Sequence, residues 1–346
     1  MARAQRSRFV VAAFSVAALA LASCVHERAS ELEPKPESSS TPALVLPPGY
    51  RSPVTDPTGT MAGWLDLRFA QDPQAQPTLQ SLDLITPIAV VEGLVARARA
   101  TREAGAAGSG GVDLGRRPVV VFIHGGTWQA GDKRGGLEAK AARTLGAGFL
   151  LASINYRLAP TFTHPAQVED TAAALAWLHD HAPEYGGAPD RFVVVGHSAG
   201  AHLAALVATD ERYLARHGLP LSLIAGVVSL DGAGYDLPDR TEDEPGAEQV
   251  LATVFGPDRA VWADASPVNH VAAGKHIPPF LLFQAGGREI SAKETAKFSA
   301  RLRDAGLRVD VVHADDRTHR TIHMAFGGEG DAVTTRFLEF AQEVTR

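Results

Sequence analysis

From residue 118 onward, short runs of apolar residues alternate with stretches of helical spacing. Pro118–Ile123, Phe149–Ile154, Phe192–Val195, Leu223–Leu230, Phe280–Phe283 and Val309–His313 are such runs. Bounded by turn residues and too short for helices, they predict strands buried on both faces. Between them, Lys140–Leu145, Val168–His179, Ala201–Val207 and Lys293–Ala305 read as helices, the last stopped by Gly306, and Val333–Val344 closes the chain as another. Upstream, Trp64–Phe69 and Thr78–Ile85 alternate apolar and polar residues and predict two antiparallel strands joined by Ala70–Pro77. Ala89–Thr101 is helix-like or irregular, and Ala104–Gly111 is a Gly/Ala/Ser loop. Strand–helix alternation of this kind means an α/β fold, a mostly parallel sheet with helices on both faces.

The amino terminus changes the picture. Arg3, Arg6 and Arg8 precede an apolar run from Phe9 to Ala22, the charged and hydrophobic regions of an export signal. Leu21-Ala22-Ser23-Cys24 resembles the lipobox of bacterial lipoproteins, which implies cleavage before Cys24 and lipidation of that cysteine. Val25 after Cys24, in place of Asp, favours the outer membrane if the source cell has one. The run is about 14 residues, short against the roughly 20 of a spanning helix. Residues 24–48 carry five prolines and a run of serines and read as a flexible tether. Residues 49–346 are then one domain by length. The expected location is the bacterial cell envelope, with the membrane reached through the lipid alone. Removing residues 1–23 removes three Arg and no acid, so the formal charge moves from −6 to −9. A mildly acidic domain without a basic run argues against nucleic acid or anionic lipid as a partner. Cys24 is the only cysteine, which excludes an intrachain disulfide, thiolate catalysis and a thiolate metal site in the body.

The candidate chemistry centres on Gly196-His197-Ser198-Ala199-Gly200. A strand before it and a small-residue helix after it are the context in which G-x-S-x-G is a nucleophile elbow. The elbow puts the Ser198 hydroxyl at the strand's carboxyl end and aims the Ala199 N–H at the same space. Pro118–Ile123 runs into His124-Gly125-Gly126-Thr127-Trp128. Two glycines after a strand let backbone N–H groups approach a ligand oxygen, as an oxyanion hole requires. Here His124 would hold the loop through ring hydrogen bonds, and Trp128 would wall a pocket or simply pack. His319 and His323 are four apart, but Arg320 stands where a metalloprotease helix needs Glu. His179 and His181 read as solvated surface. No metal or cofactor is expected: there is no dinucleotide fingerprint and no phosphate loop.

Those two motifs, Asn155-Tyr156-Arg157-Leu158-Ala159-Pro160 and Thr318-His319 together resemble the α/β-hydrolase superfamily. The branch is that of esterases and lipases, which includes hormone-sensitive-lipase-like, feruloyl-esterase-like and kynurenine-formamidase-like proteins. The resemblance implies Ser198 as nucleophile, His319 as general base, and an oxyanion hole from Ala199, Gly126 and Gly125. It also implies a small-molecule ester or amide substrate. The activity expected is that of a carboxylesterase on small or medium acyl esters. A formamidase or amidase of the same fold is the alternative within enzymes, and a weakly active or inactive hydrolase-fold binding protein at the cell envelope the alternative outside them.

The acid departs from the family pattern. The usual Asp, after the strand Phe280–Phe283, falls on Gly287 or Arg288, with Glu289 next door. Asp231, at the end of the preceding strand, is the competitor, since neighbouring strand ends lie about 5 Å apart. Asp231 is preferred because Arg288 would tie up Glu289 at the surface; otherwise Asp231 is a turn residue before Gly232 and Glu289 a solvated charge. Asp315 and Asp316 are too close to His319 in sequence and suit a turn or cap. Ala233–Glu248 is where such folds insert cap residues, so Tyr235 is expected to contact substrate.

Overall fold

A computed structural model describes residues 52–103, 116–244 and 246–346. These fall in one compact unit, Leu44–Arg346. The export signal, the tether, Cys24 and the Ala104–Gly111 loop lie outside the described residues.

Among the described residues nine strands form one sheet. They are β1 (Val54–Thr55), β2 (Met61–Arg68), β3 (Ser81–Pro87), β4 (Arg117–Ile123), β5 (Leu150–Ile154), β6 (Gly187–His197), β7 (Ile224–Leu230), β8 (Phe280–Ala285) and β9 (Val309–Ala314), in spatial order β1-β2-β3-β5-β4-β6-β7-β8-β9. Strands β4 to β9 are mutually parallel; β1, β2, β3 and β5 pair antiparallel in succession. This is the expected α/β-hydrolase arrangement. One detail differs: Pro77–Gln80 is a 3-10 turn and β3 starts only at Ser81. β3 lacks the solvent face its alternation suggested: it is buried from Ser81 to Thr86, with Leu82 and Leu84 in one core and Ile85 in the other.

Eleven helices are described: α1 (Ile88–Glu103), α2 (Leu137–Gly146), α3 (Ala166–His181), α4 (Ala199–Thr209), α5 (Glu211–Ala215), α6 (Leu237–Asp243), α7 (Ala247–Phe255), α8 (Arg259–Asp264), α9 (Glu289–Asp304), α10 (His319–Ala325) and α11 (Ala332–Val344). Alternate residues of the parallel strands face two cores. Val119, Val121, Ile123 and Val194 pack with Leu175 and Leu178 of α3 and Leu203 and Leu206 of α4. Val120, Phe122, Val193 and Val195 pack with Phe337 and Phe340 of α11 and Ile322 of α10. Burial on both faces is why the central strands read as unbroken apolar runs.

The chain leaves β4 toward β5, then crosses back to β6 on the other side of β4. At such a switch point, loops from the carboxyl ends of two neighbouring strands diverge and leave a crevice. Here those ends are Ile123, followed by His124-Gly125-Gly126, and His197, followed by Ser198.

Candidate active site

Ser198 lies between β6 and α4 with φ 54° and ψ −119°, a strained conformation for a residue with a side chain. The glycines on either side are dictated by contact. A Cβ at Gly196 would fall 2.2 Å from the Gly200 carbonyl oxygen, and one at Gly200 would fall 2.2 Å from that of Ile123. Only with both side chains absent do strand and helix approach closely enough to turn on one residue. The turn leaves Ser198 partly exposed while its neighbours His197 and Ala199 are buried.

His319 is the first residue of α10. Thr318 caps that helix through reciprocal hydrogen bonds with Thr321, which fixes where the imidazole projects. Its Nε2 lies 3.0 Å from Ser198 Oγ, and its Nδ1 lies 2.6 Å from Asp231 Oδ2. Asp231 follows β7, fully buried, at φ 47°. Its Oδ1 accepts from the Ala285 N–H at 3.0 Å and the Ser291 hydroxyl at 2.6 Å. Burial pushes the Asp231 carboxyl up. Hydrogen bonds from His319, Ser291 and Ala285 and the nearby Arg288 cation outweigh it and hold the group below the usual carboxylate range.

Glu289 is exposed in the first turn of α9. The expected Arg288–Glu289 pairing is corrected. Arg288 turns inward, with Nη1 3.4 Å from Asp231 Oδ2 and 3.0 Å from His319 Nδ1. Ser291, which no motif in the sequence singles out, holds the Asp231 carboxylate.

The Gly125-Gly126 loop lies against Ser198. A Cβ at Gly125 would come 3.1 Å from that of Ser198 and 2.9 Å from the His197 carbonyl. Gly126 (φ 117°) and the next two residues, Thr127 (φ 52°) and Trp128 (φ 59°), all have positive φ, so the loop folds back sharply after β4. Ala199 opens α4, where the first backbone N–H groups have no partner within the helix. As expected, His124 is structural: Nδ1 bonds the Gly125 carbonyl at 2.8 Å, the ring stacks on Tyr156, and burial lowers its pKa. The Asn155–Pro160 segment holds the same region. Tyr156 donates to the His124 carbonyl at 3.1 Å, and Asn155 accepts from the Lys133 N–H at 2.7 Å.

The expected contact of Tyr235 with substrate is corrected, and of the two readings of Trp128 the structure shows packing. Tyr235 is 1% exposed, stacks on Phe298, and has its hydroxyl 2.6 Å from Ser229 Oγ. It fills the space beneath the β7 loop because that loop curls inward; Glu294 accepts from the Gly234 and Tyr235 N–H groups. Trp128 packs rather than walling a pocket. Its ring is buried against His202 and Phe255, with Nε1 donating to His202 Nδ1 at 3.2 Å. Tyr235→Phe should therefore lower stability by about 1 kcal/mol through loss of the hydroxyl contact with Ser229. Urea unfolding of the two proteins measures it; an unchanged midpoint would mean that this buried hydrogen bond contributes nothing.

Two further histidines flank the site. His197 lies between the rings of His319 and His323, each 4.7 Å away, and its Nε2 bonds the His319 carbonyl at 2.9 Å. Burial, then the neighbouring imidazoles, pull His197 down to about 3. Burial and Lys140 pull His323 down to about 4. His323 thus shares a helix face with His319, as its spacing allowed, but that face packs on His197 and Phe122. His179 bonds the Pro189 carbonyl and His181 pairs with Glu184.

A family model described as BD-FAE matches residues 112–302. Esterase LipQ of Mycobacterium tuberculosis is 32% identical over 207 residues, 55% of this chain and 47% of that protein. Carboxylic ester hydrolase LipN of the same organism is 31% identical over 241 residues, 65% of this chain and 62% of that protein. The chain spans less than half the length of LipQ, LipM and LipC. Among solved structures, a truncated carbohydrate esterase from gut microbiota superposes with a TM-score of 0.62 at 19% identity, over 82% of this chain and 96% of that one. Esterase B from Lactobacillus Rhamnosis gives 0.63 at 20% identity, over 83% and 86%. These structures share the α/β-hydrolase fold.

Proposed function

Because this chain belongs to the BD-FAE family, we propose that it is a serine carboxylesterase acting on small or medium acyl esters. The observation that carries this reading is the unbroken chain of contacts from Ser198 Oγ through His319 to Asp231, at 3.0 and 2.6 Å. Esterases among the sequence relatives support the ester as substrate class.

In this reading Asp231 keeps the His319 proton on Nδ1, so that Nε2 is free to accept. His319 takes the Ser198 proton as Oγ attacks the ester carbonyl. The carbonyl oxygen, now negative, is held by the N–H groups of Ala199 and Gly126, with Gly125 beside them; one such donor typically contributes about 3–4 kcal/mol to the transition state. His319 then gives its proton to the leaving alkoxide, which departs as the alcohol. Water, deprotonated by His319, attacks the acyl-Ser198 ester; the tetrahedral adduct collapses, releasing the acid and restoring the hydroxyl. We further infer export and lipid anchoring at Cys24, which the intact mass of the N-terminal peptide from the native membrane fraction tests: an unmodified Cys24 would contradict it.

Turnover of p-nitrophenyl acetate, butyrate and octanoate, set beside a formyl-anilide, tests the activity. Faster turnover of a short ester than of the anilide is expected. A preference for the anilide would make the enzyme an amidase, and turnover of none by folded protein would defeat the proposal.

A further inference from the structure

Arg288 stands where a hydrolase would be expected to avoid a cation. Its Nη1 is 3.0 Å from His319 Nδ1, the atom that faces the triad acid, and 3.4 Å from both Asp231 Oδ2 and the Asp231 carbonyl oxygen. The imidazole therefore meets an anion and a cation on one edge. With the side chain 22% exposed, solvent screens the guanidinium only in part. Its position is fixed by the fold: Arg288 is the residue before α9, and the first turn of that helix also supplies Ser291 to the same carboxylate.

Titratable and charged groups face His319 from four directions. Asp231 faces it from the end of β7 and Arg288 from the start of α9. His197 lies against it from the end of β6, and His323 is one turn further along α10. Burial pulls His197 down to about 3 and His323 down to about 4, which favours the uncharged ring of each near neutral pH. Arg288 is thus the nearby cation set against Asp231.

We propose that Arg288 is a positioning residue that sets the working pH of the site. Its guanidinium offsets the Asp231 charge at Nδ1, so that hydrolysis persists into more acidic solution than the same Ser198, His319 and Asp231 would sustain without it. The physical basis is that a cation beside an imidazole disfavours the imidazolium and an anion favours it. The cost is that Arg288 also presents an N–H to Nδ1. It thereby competes with Asp231 for the tautomer and limits the rate once His319 is neutral.

This inference rests on His319 acting as the base, so its test has one arm that does not need turnover. In the first arm, kcat/KM for an uncharged ester is followed from pH 4.5 to 8 in the parent, Arg288→Gln and Arg288→Lys. Arg288→Gln should move the acid limb upward by about one pH unit, and Arg288→Lys should keep the parent limb. In the second arm, the His319 ring C–H resonance is titrated by NMR in a Ser198→Ala background with and without Arg288→Gln, and the midpoint should rise by a similar amount. A fall in activity at every pH with no movement of the limb would reduce Arg288 to packing and overturn the proposal. So would an unmoved NMR midpoint in folded protein. Loss of esterase activity in the parent itself would defeat the esterase reading and leave the NMR arm to decide the role of Arg288.

Discussion

Asp231→Asn should lower kcat for a p-nitrophenyl ester by about 10⁴-fold, with little change in KM. The argument is one of hydrogen-bond direction. The Asp231 Oδ1 side faces two donors, the Ala285 N–H and the Ser291 hydroxyl. In the amide, the carbonyl oxygen must keep that side, because turning the NH2 toward two donors would leave all of them unpaired in a buried place. The amide nitrogen then faces His319 Nδ1, where it donates a proton instead of accepting one. Arg288 already offers an N–H at 3.0 Å to the same atom. Both groups then favour the tautomer with its proton on Nε2, which points at Ser198 and cannot take the hydroxyl proton. Glu289→Gln, by contrast, changes an exposed charge in the first turn of α9 and should alter kcat less than twofold. Steady-state kinetics on the two variants distinguish the acids, and the reverse pattern would move the role to Glu289.

Ser198→Ala should cost more, about 10⁵- to 10⁶-fold in kcat, leaving only what binding and the oxyanion donors provide. The substitution removes the hydroxyl and keeps the strained backbone, so the fold should survive. Alanine at φ 54° is no worse placed than serine, and Ser198 Oγ has its side-chain contact with His319 at the partly exposed surface of the site. An unfolding midpoint within a few degrees of the parent, together with the lost turnover, is the expected pair of results. Retained turnover would mean that another group carries the reaction.

The parts of the site set by short-range contact could be read from the sequence. Gly196 and Gly200 are spaced as they are because each would clash with a backbone atom if it carried a side chain, so the elbow leaves a mark in residue type. The apolar runs of β4, β6, β7 and β8 were equally plain, since both faces are buried. The acid was harder. Asp231 and Glu289 lie 58 positions apart on adjacent strand ends, and which reaches the imidazole depends on the path of two loops. Neighbours in sequence also part company at a helix start: Arg288 turns inward while Glu289 faces solvent. The buried place of Tyr235 is hidden in the sequence for a similar reason. Nothing in the residues after β7 announces that the loop curls under Glu294, which the same α9 face brings in three residues after Ser291. That i, i+3 pair of polar residues on a mostly amphipathic helix was the one available signal.

The most direct test of the account is covalent labelling of the intact protein with a fluorophosphonate, followed by mass spectrometry of the digested adduct. The reagent reacts only with a serine whose hydroxyl is activated by a base and whose new phosphoryl oxygen is met by oxyanion donors. One adduct per chain, on the peptide that contains Ser198 and absent from Ser198→Ala, is the result predicted here. A folded protein that takes up no label, or takes it up on another serine, would contradict the assignment of Ser198, His319 and Asp231 as the working site.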